Sequence, residues 1–564
     1  MSKRLELVWP DKDKVLLGLD DENGKPIWGT KADLETRLLV QLEAVGETNP
    51  DNLNDLYEQG DNLLIKGDNL LALKALERHF ANKIKCIYID PPFNTGNAFE
   101  YYDDGLEHTI WLSMMKARLE LLWRLLSSDG ALFLHVDDNE SAYAKVLLDE
   151  QFSRRNYRNT IVIKANSPFG FKHTSDSIFK SANYVHVYAK TDDFTFKRLF
   201  VERDYDRAYK YVLDQRSPDF TSWHWRPIAE VVAQHLGHKT STEAQKAFGK
   251  EEFWIRVGEF AVQNAERVFR TAAVTGGARQ KRLDTIERSS RQRNEVMVHP
   301  NDDMEGYYFL NGERILFYDE RLIEVNGNRM PGTTLTDIWT DIAWEGIARE
   351  GGVEFPKSKK PEALVSRIIS LATEAGDWVL DSFLGSGTTA AVAHKLGRKW
   401  VGAEIGEHAE TLCLPRLKRV VSGEDQTGIS KQVGWKGGGG FRYCVLGESL
   451  FAKDEDIGLV MINPKYTNGP LVAGVCNLED FHLNDDSVFH GVRGNAYAHI
   501  TEGKVTQAYM DALVEKLPKG KNLVVYCLKR ATGLEGPEEV KVKRIPKELQ
   551  IPRYLTNGDR GSRG

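Results

Sequence analysis

The sequence predicts an α/β protein built on a mainly parallel sheet and interrupted midway by a segment of different character. Three observations point there. Residues 61–190 alternate short apolar strands with amphipathic helices, residues 191–330 lose that alternation, and it returns over residues 331–425. At 564 residues the chain also exceeds one hydrophobic core, so several domains are expected.

Residues 1–60 are polar and mixed, carry D-E-N-G and N-P-D-N turn clusters, and read as an N-terminal arm with a helix near Lys31–Val45. Asn69–Phe80 is Leu/Ala-rich at helical spacing. Ile84–Asp90 (IKCIYID) is a short apolar run that reads as a buried strand. His108–Ser127 reads as a long amphipathic helix ending at Gly130, and Ala131–Val136 as the next strand. Residues 191–330 are aromatic and polar, with Trp223, Trp225 and Trp254 and a basic cluster. Beyond them Pro361–Ala372 reads as a helix, Trp378–Asp381 as a strand, Ser382–Thr389 as a turn, Thr389–Leu396 as a helix and Trp400–Glu404 as a strand. The run Gly437–Gly440 marks a break, which sets residues 426–564 apart as a small α/β unit.

Composition narrows the class. With 41% hydrophobic and 28% charged residues the chain reads as globular, and no apolar run of about 18 residues suggests a membrane span. The charged start lacks a signal-peptide stretch, so the expectation is cytoplasmic. Cys86, Cys413, Cys444, Cys476 and Cys527 show no C-x-x-C spacing, which argues against a zinc ribbon or a disulfide framework, and no metal site is expected. Net charge is -7, so any nucleic acid must meet a local basic surface.

Two motifs carry chemistry. Asp90-Pro91-Pro92-Phe93 follows a buried strand directly. The exocyclic nitrogen of adenine is a poor nucleophile because its lone pair is delocalised into the ring. A side-chain acceptor at Asp90 and the Pro91 carbonyl can both take hydrogen bonds from that amino group and localise the lone pair. The prolines pre-aim the carbonyl, and Phe93 can stack on a base flipped out of the duplex. The plainer reading is a strand ending in a Pro-Pro turn with Asp90 as a cap. The second motif is Asp381-Ser-Phe383-Leu-Gly385-Ser386-Gly387-Thr388-Thr389. Glycines in a strand-to-helix turn let a ligand approach the backbone, and the helix N-terminus offers free N–H groups. The Thr hydroxyls suit a carboxylate, and Glu404, ending the next strand, suits ribose hydroxyls. A nicotinamide site is the competing reading of the glycine spacing, although Phe383 and Thr388-Thr389 are unlike it.

In this order the motifs resemble those of DNA amino-methyltransferases of the beta order. More closely, the chain resembles the modification (Mod) subunits of type III restriction–modification systems. The resemblance rests on Gly67–Leu70, Asp90–Gly96 (DPPFNTG), Trp111–Arg118, Phe133–Asp138, Ser181–Lys190, Lys360–Ile369, the glycine turn and the glycine-rich segment ending at Tyr443. It covers residues 61–190 and 331–445. It implies a Rossmann-like, seven-stranded S-adenosylmethionine-dependent methyltransferase core with circularly permuted motif order, an inserted DNA target-recognition domain and a small C-terminal α/β domain. Residues 61–190 would then be the catalytic half and 331–425 the cofactor half, with 191–330 as the recognition domain.

Carried over by position, the resemblance makes Asp90, Pro91, Pro92 and Phe93 catalytic. It puts Asp381, Phe383, Gly385, Ser386, Gly387, Thr388 and Thr389 around the cofactor S-adenosylmethionine, with Lys360 helping and Glu404 on its ribose. Asp68 is either near the methyl-transfer cleft or the N-cap of the helix that follows. Phe93 stands where the family usually has Tyr, which keeps stacking and loses a phenolic hydrogen bond. Asp at position 90 points to adenine over cytosine. Arg267, Arg270, Arg279, Lys281, Arg282, Arg288, Arg291 and Arg293 form a cluster suited to DNA phosphates and guanine edges, or alternatively a solvated helix face partly neutralised by Glu266, Asp284, Glu287 and Glu295. The implied partners are double-stranded DNA, a second copy in a homodimer, and a restriction subunit with helicase and nuclease activities. The alternatives are a stand-alone methyltransferase or one of another defence system, cytosine N4 as target, and a catalytically inactive recognition module. Ile457–Tyr466 (IGLVMINPKY) imitates a second catalytic motif, but Lys465 replaces the second proline, and a structural strand and turn is expected there.

Overall fold

The computed structural model describes residues 6–18, 25–48, 60–94, 106–165, 178–300, 307–325, 328–344, 346–355, 359–453, 460–467, 469–484, 486 and 488–549. The D-E-N-G and N-P-D-N clusters, Thr95-Gly96 and Ile457–Leu459 lie outside them. Two compact units result: residues 1–197 with 337–564, and Arg198–Thr336, against the 191–330 expected for the insertion.

The first unit is organised by one sheet. Its strands are β1 (Leu39–Gly46), β2 (Asn62–Lys66), β3 (Ile84–Ile89), β4 (Leu126–Val136), β5 (Tyr157–Lys164), β6 (Ala182–Ala189), β7 (Ile338–Trp339), β8 (Trp378–Asp381), β9 (Lys399–Glu404) and β10 (Gly440–Leu446). The order across the sheet is β7-β5-β6-β4-β3-β8-β9-β2-β10-β1. All neighbours run parallel except those involving β6 and β1. The central strands read as near-continuous apolar runs because both their faces are buried, as in IKCIYI of β3.

The helices fall into two packed groups. One is α1 (Asn69–Phe80), α2 (His108–Leu125) and α3 (Ser141–Phe152); the other is α4 (Glu362–Ala372), α5 (Thr388–Lys395) and α6 (Leu414–Ser422). The mixed α/β class and the strands and helices expected on either side of the insertion are therefore observed, within a residue or a few of their expected ends.

Three expectations are corrected. Lys31–Val45 is not a helix. Lys31–Asp33 is a single 3-10 turn, and Leu39–Gly46 is an edge strand whose buried–exposed alternation has the period of two that a strand requires. Among the described residues of 1–60, the segment read as an arm contributes Trp9, Val15, Leu16 and Leu39 to the main core. Nor does the glycine run end the sheet: Gly440 opens β10, which pairs with β2 and β1, so the sheet holds ten strands rather than seven.

Past β10, Phe451–Lys453 and Val460–Ile462 form a two-stranded ribbon, and Asn463 Oδ1 accepts from the Lys465 N–H, the strand and turn expected of the imitation motif. A five-stranded sheet completes this unit, with helices Gly469–Leu478 and Gln507–Lys516. The second unit carries a six-stranded antiparallel sheet around Trp223, Phe269 and Phe317, and a three-helix group from Ile228 to Gln263 around Phe253 and Val257.

Candidate active site

Strands β3 and β8 lie side by side although the insertion separates them in sequence. From β3 the chain crosses through α2 to β4 on one side; from β8 it crosses through α5 to β9 on the other. Opposed crossovers leave a crevice beyond the carboxyl ends of the two strands, where an open α/β sheet binds ligands. The two motifs occupy those ends.

The tetrapeptide is held from several sides. Lys360, just ahead of α4, places Nζ 2.5 Å from Asp90 Oδ2 and 4.6 Å from the centre of the Phe93 ring. The Trp111 indole N–H donates to the Pro92 carbonyl at 2.8 Å. Behind Phe93 stands His135 on β4, with ring centres 5.5 Å apart. His135 is fully buried: Tyr88 Oη lies 2.8 Å from Nδ1 and Asn183 Nδ2 lies 3.1 Å from Nε2. Burial, reinforced by the nearby Lys360 charge, pushes the imidazole far below its usual range, so it stays neutral.

The glycine turn is built by positive backbone angles. Gly385 has φ +55° and Gly387, the N-cap of α5, has φ +79°, a region where a side chain is strained. Asp381 fastens the turn, accepting from the Phe383 N–H at 2.9 Å and the Thr389 hydroxyl at 2.6 Å. Its carboxyl is raised to about 7, chiefly by burial, with Asp90 and Glu404 adding to the rise and those two hydrogen bonds opposing it. Glu404 closes the other side, accepting from the N–H groups of Gly385 at 2.6 Å and Ile405 at 2.9 Å.

Asp68 is the N-cap of α1 and also lines the cavity. Its Oδ1 accepts from the Leu71 N–H at 3.1 Å, and its Oδ2 accepts from Arg118 at 3.1 Å.

These groups meet in one cavity of about 350 Å³ whose wall includes Asp68, Asp90, Pro92, Lys360, Asp381, Phe383, Gly385, Ser386, Thr388, Thr389 and Glu404. Phe93 flanks it through Lys360. Lys360, expected to help bind the cofactor, lines the cavity and contacts Asp90 and Phe93. Sequence reasoning missed Arg416, which is fully buried and donates to the Ser386 carbonyl at 3.0 Å, Thr388 Oγ1 at 2.8 Å and Glu362 at 2.8 Å. Nothing in the spacing of L-P-R-L announces that role. Leu16, Leu17 and Gly18 also escaped notice, as wall residues drawn from a segment read as an arm.

Within the second unit, Arg279, Lys281, Arg288, Arg291 and Arg293 are exposed on or beside the helices Gly276–Lys281 and Leu283–Arg291. Arg282 is buried, with its guanidinium over the Tyr307 ring at 4.2 Å. Arg267 is tied to the carbonyls of Leu213 and Asp214, and Arg270 lies 3.7 Å from Asp206. Of these three only Arg282 is buried in the packing of its unit, Arg267 and Arg270 being half-exposed. Among the described residues, no group of His, Cys, Asp or Glu could hold a metal ion, and no helix is long and apolar enough to cross a membrane.

Residues 84–413 match the family model of the N6/N4 DNA methylases. The chain is 34% identical over 411 residues to the HindVI Mod subunit of Haemophilus influenzae, described as part of a type III restriction-modification enzyme; the match covers 68% of this chain and 54% of that one. It is 26% identical over 418 residues to the type III EcoP15I Mod subunit of Escherichia coli, covering 64% and 61%. The chain thus spans little more than half the length of these curated relatives. Among solved structures it is similar to a protein of Thermus thermophilus described as a DNA modification methylase, complexed with S-adenosyl-L-methionine, at 12% identity, 68% and 100% coverage and a TM-score of 0.31.

Proposed function

The chain belongs to the N6/N4 DNA methylase family, and from that premise we propose that it transfers a methyl group from S-adenosylmethionine to adenine N6 at a specific sequence in duplex DNA. The observation that carries this reading is that Asp90 and Pro92 of the tetrapeptide and Phe383, Gly385, Ser386, Thr388 and Thr389 of the glycine turn line one cavity.

The cavity fits the cofactor. Its volume lies within the range of small-molecule sites. Above Gly385 the backbone is open, the first atom an added Cβ would meet being Phe355 Cε1 at 3.8 Å. Gly385, Ser386 and Thr388 would hold the methionine half, and Glu404 the ribose. When bound, the cofactor supplies an electrophilic methyl group on a sulfonium. The chain's own groups do the rest. Asp90 and the Pro91 carbonyl accept from the adenine amino group and localise its lone pair, while Phe93 stacks on the flipped base. The Trp111 bond to Pro92 and the Lys360 contact with Asp90 hold those acceptors before the base arrives. His135 backs the Phe93 ring as a neutral group, and the proton lost by the methylated nitrogen leaves through Asp90 or to water.

The same reading makes the protein the modification subunit of a type III restriction–modification system. A homodimer is then the working form, a helicase–nuclease restriction subunit the companion, and the cytoplasm the location. Similarity to Mod subunits supports it. Exposed arginines of the second unit, Arg279, Arg288, Arg291 and Arg293, are then the phosphate contacts.

The test is incubation with tritiated-methyl S-adenosylmethionine and mixed-sequence DNA, followed by digestion and identification of the labelled nucleoside. Label on N6-methyladenine is expected, and label on N4-methylcytosine would overturn the base assignment. Asp90→Ala is expected to abolish transfer while retaining cofactor binding; loss of cofactor binding in that variant would count against the role given to Asp90.

A further inference from the structure

Strands Val15–Gly18 and Ile27–Gly29 form a hairpin that joins no other sheet. It is held to the molecule through its side chains, Val15 and Leu16 lying in the main core. Its approach segment is fastened along α2 and α3 at several points. The Trp9 indole N–H donates to Ser113 Oγ at 2.8 Å, Lys116 Nζ donates to the Lys12 carbonyl at 2.6 Å, and Lys12 Nζ lies 2.6 Å from Glu150. Lys31, just past the second strand, pairs with Glu120 at 2.6 Å. Three of these anchors are on α2, the helix whose Met114 and Arg118 face the cavity, and Glu150 is on α3. They deliver Leu16, Leu17 and Gly18 onto the same wall. Leu16 is only 2% exposed and belongs to the main core, whereas Leu17 is half-buried.

We propose that this hairpin is part of the cofactor site: Leu17, backed by Leu16, supplies an apolar wall against the adenosylmethionine and sets its affinity. The inference rests on the cofactor assignment above and adds a segment that the two motifs do not include. The element is tethered at four points, plants Val15 and Leu16 in the core and presents Leu16, Leu17 and Gly18 to the cavity. Leu17 is the residue to change, because Leu16 is 2% exposed within the core, whereas Leu17 packs against that core, is half-buried and lines the cavity. A carboxylate at position 17 would be desolvated by the bound cofactor and would lose the apolar contact.

Two measurements test this on the full chain. Hydrogen–deuterium exchange of the wild-type protein with and without S-adenosylhomocysteine should show added protection over residues 15–18 and 27–29. Calorimetric titration with S-adenosylhomocysteine should show Kd raised at least about tenfold in Leu17→Asp and little changed in Leu17→Met, with DNA binding of both variants and the melting temperature of Leu17→Met near wild type. Unchanged exchange in the hairpin would overturn the inference, as would an unchanged Kd in Leu17→Asp. If Leu17→Asp fails to fold, the exchange result on the wild type decides. Failure of the wild type to bind S-adenosylmethionine or S-adenosylhomocysteine would overturn the cofactor assignment itself, and this inference with it.

Discussion

Replacing Lys360 by Met removes a cation from Asp90 while keeping a side chain of similar length. Lys360 and Asp90 are 11% and 16% exposed, and their contact is 2.5 Å, so solvent screens the pair only partly. A charge-assisted hydrogen bond of this kind contributes about 1.5–3 kcal/mol. If that energy keeps the Asp90 carboxylate aimed at the adenine amino group, its loss falls on the transition state. At about 1.4 kcal/mol per factor of ten, kcat should drop by roughly tenfold to a hundredfold. The contact over the Phe93 ring would be lost as well, which adds to the same direction. The assay is methyl transfer to duplex DNA at saturating cofactor and DNA, paired with equilibrium binding of S-adenosylhomocysteine. The expected result is a lower kcat with cofactor affinity within about threefold of wild type. A kcat within about twofold of wild type, together with a large rise in KM for the cofactor, would refute this reasoning. It would favour for Lys360 the cofactor-binding role that the family resemblance implies.

Three further outcomes follow from the geometry. Burial raises the Asp381 carboxyl to about 7, whereas in the unfolded chain it titrates near about 3.9, so the native state binds the proton more tightly between those values. Stability then falls as pH rises from about 4 to about 7 and levels off above; Asp381→Asn should gain in melting temperature relative to wild type across that window, and a constant difference would contradict the assignment. Gly387→Ala meets only ordinary contacts, with Cys413 at 3.5 Å, and should lose about 1 kcal/mol in urea unfolding from backbone strain alone. Gly351→Ala should lose clearly more, because its Cβ would lie 2.2 Å from Arg416 Nε; equal losses would show that the Arg416 clamp is not as placed. Arg288→Ala should weaken DNA binding and lower the salt slope by roughly one without affecting melting, while Arg282→Ala should lower the melting temperature; the reverse pattern would overturn the division between exposed and structural arginines.

Legibility differed sharply along the chain. Strand β3 and the helix α1 could be read within a residue, because a buried parallel strand must be continuously apolar and an amphipathic helix must repeat at its own period. Leu39–Gly46 was misread. Its sequence LVQLEAVG holds good helix formers, and pairing with β10 outweighs that weak local preference. The basic cluster in the second unit shows the same limit from another side. Eight positive residues look alike in sequence, yet Arg282 is a packing residue and Arg288 a surface one, a difference set by the neighbouring Tyr307.

By itself, then, the sequence determined the α/β class, the two chemical motifs, their order and the residues within each, because these depend on local pattern and on backbone angles that only particular residues adopt. Tertiary structure alone decided that the motifs share a cavity, since β3 and β8 become neighbours only through the strand order of the sheet. It also decided that Lys360 faces Asp90, that Arg416 grips the glycine turn and that the N-terminal hairpin walls the site. Each of these joins residues far apart in the chain, and such contacts are fixed by which faces must be buried together rather than by any spacing along it.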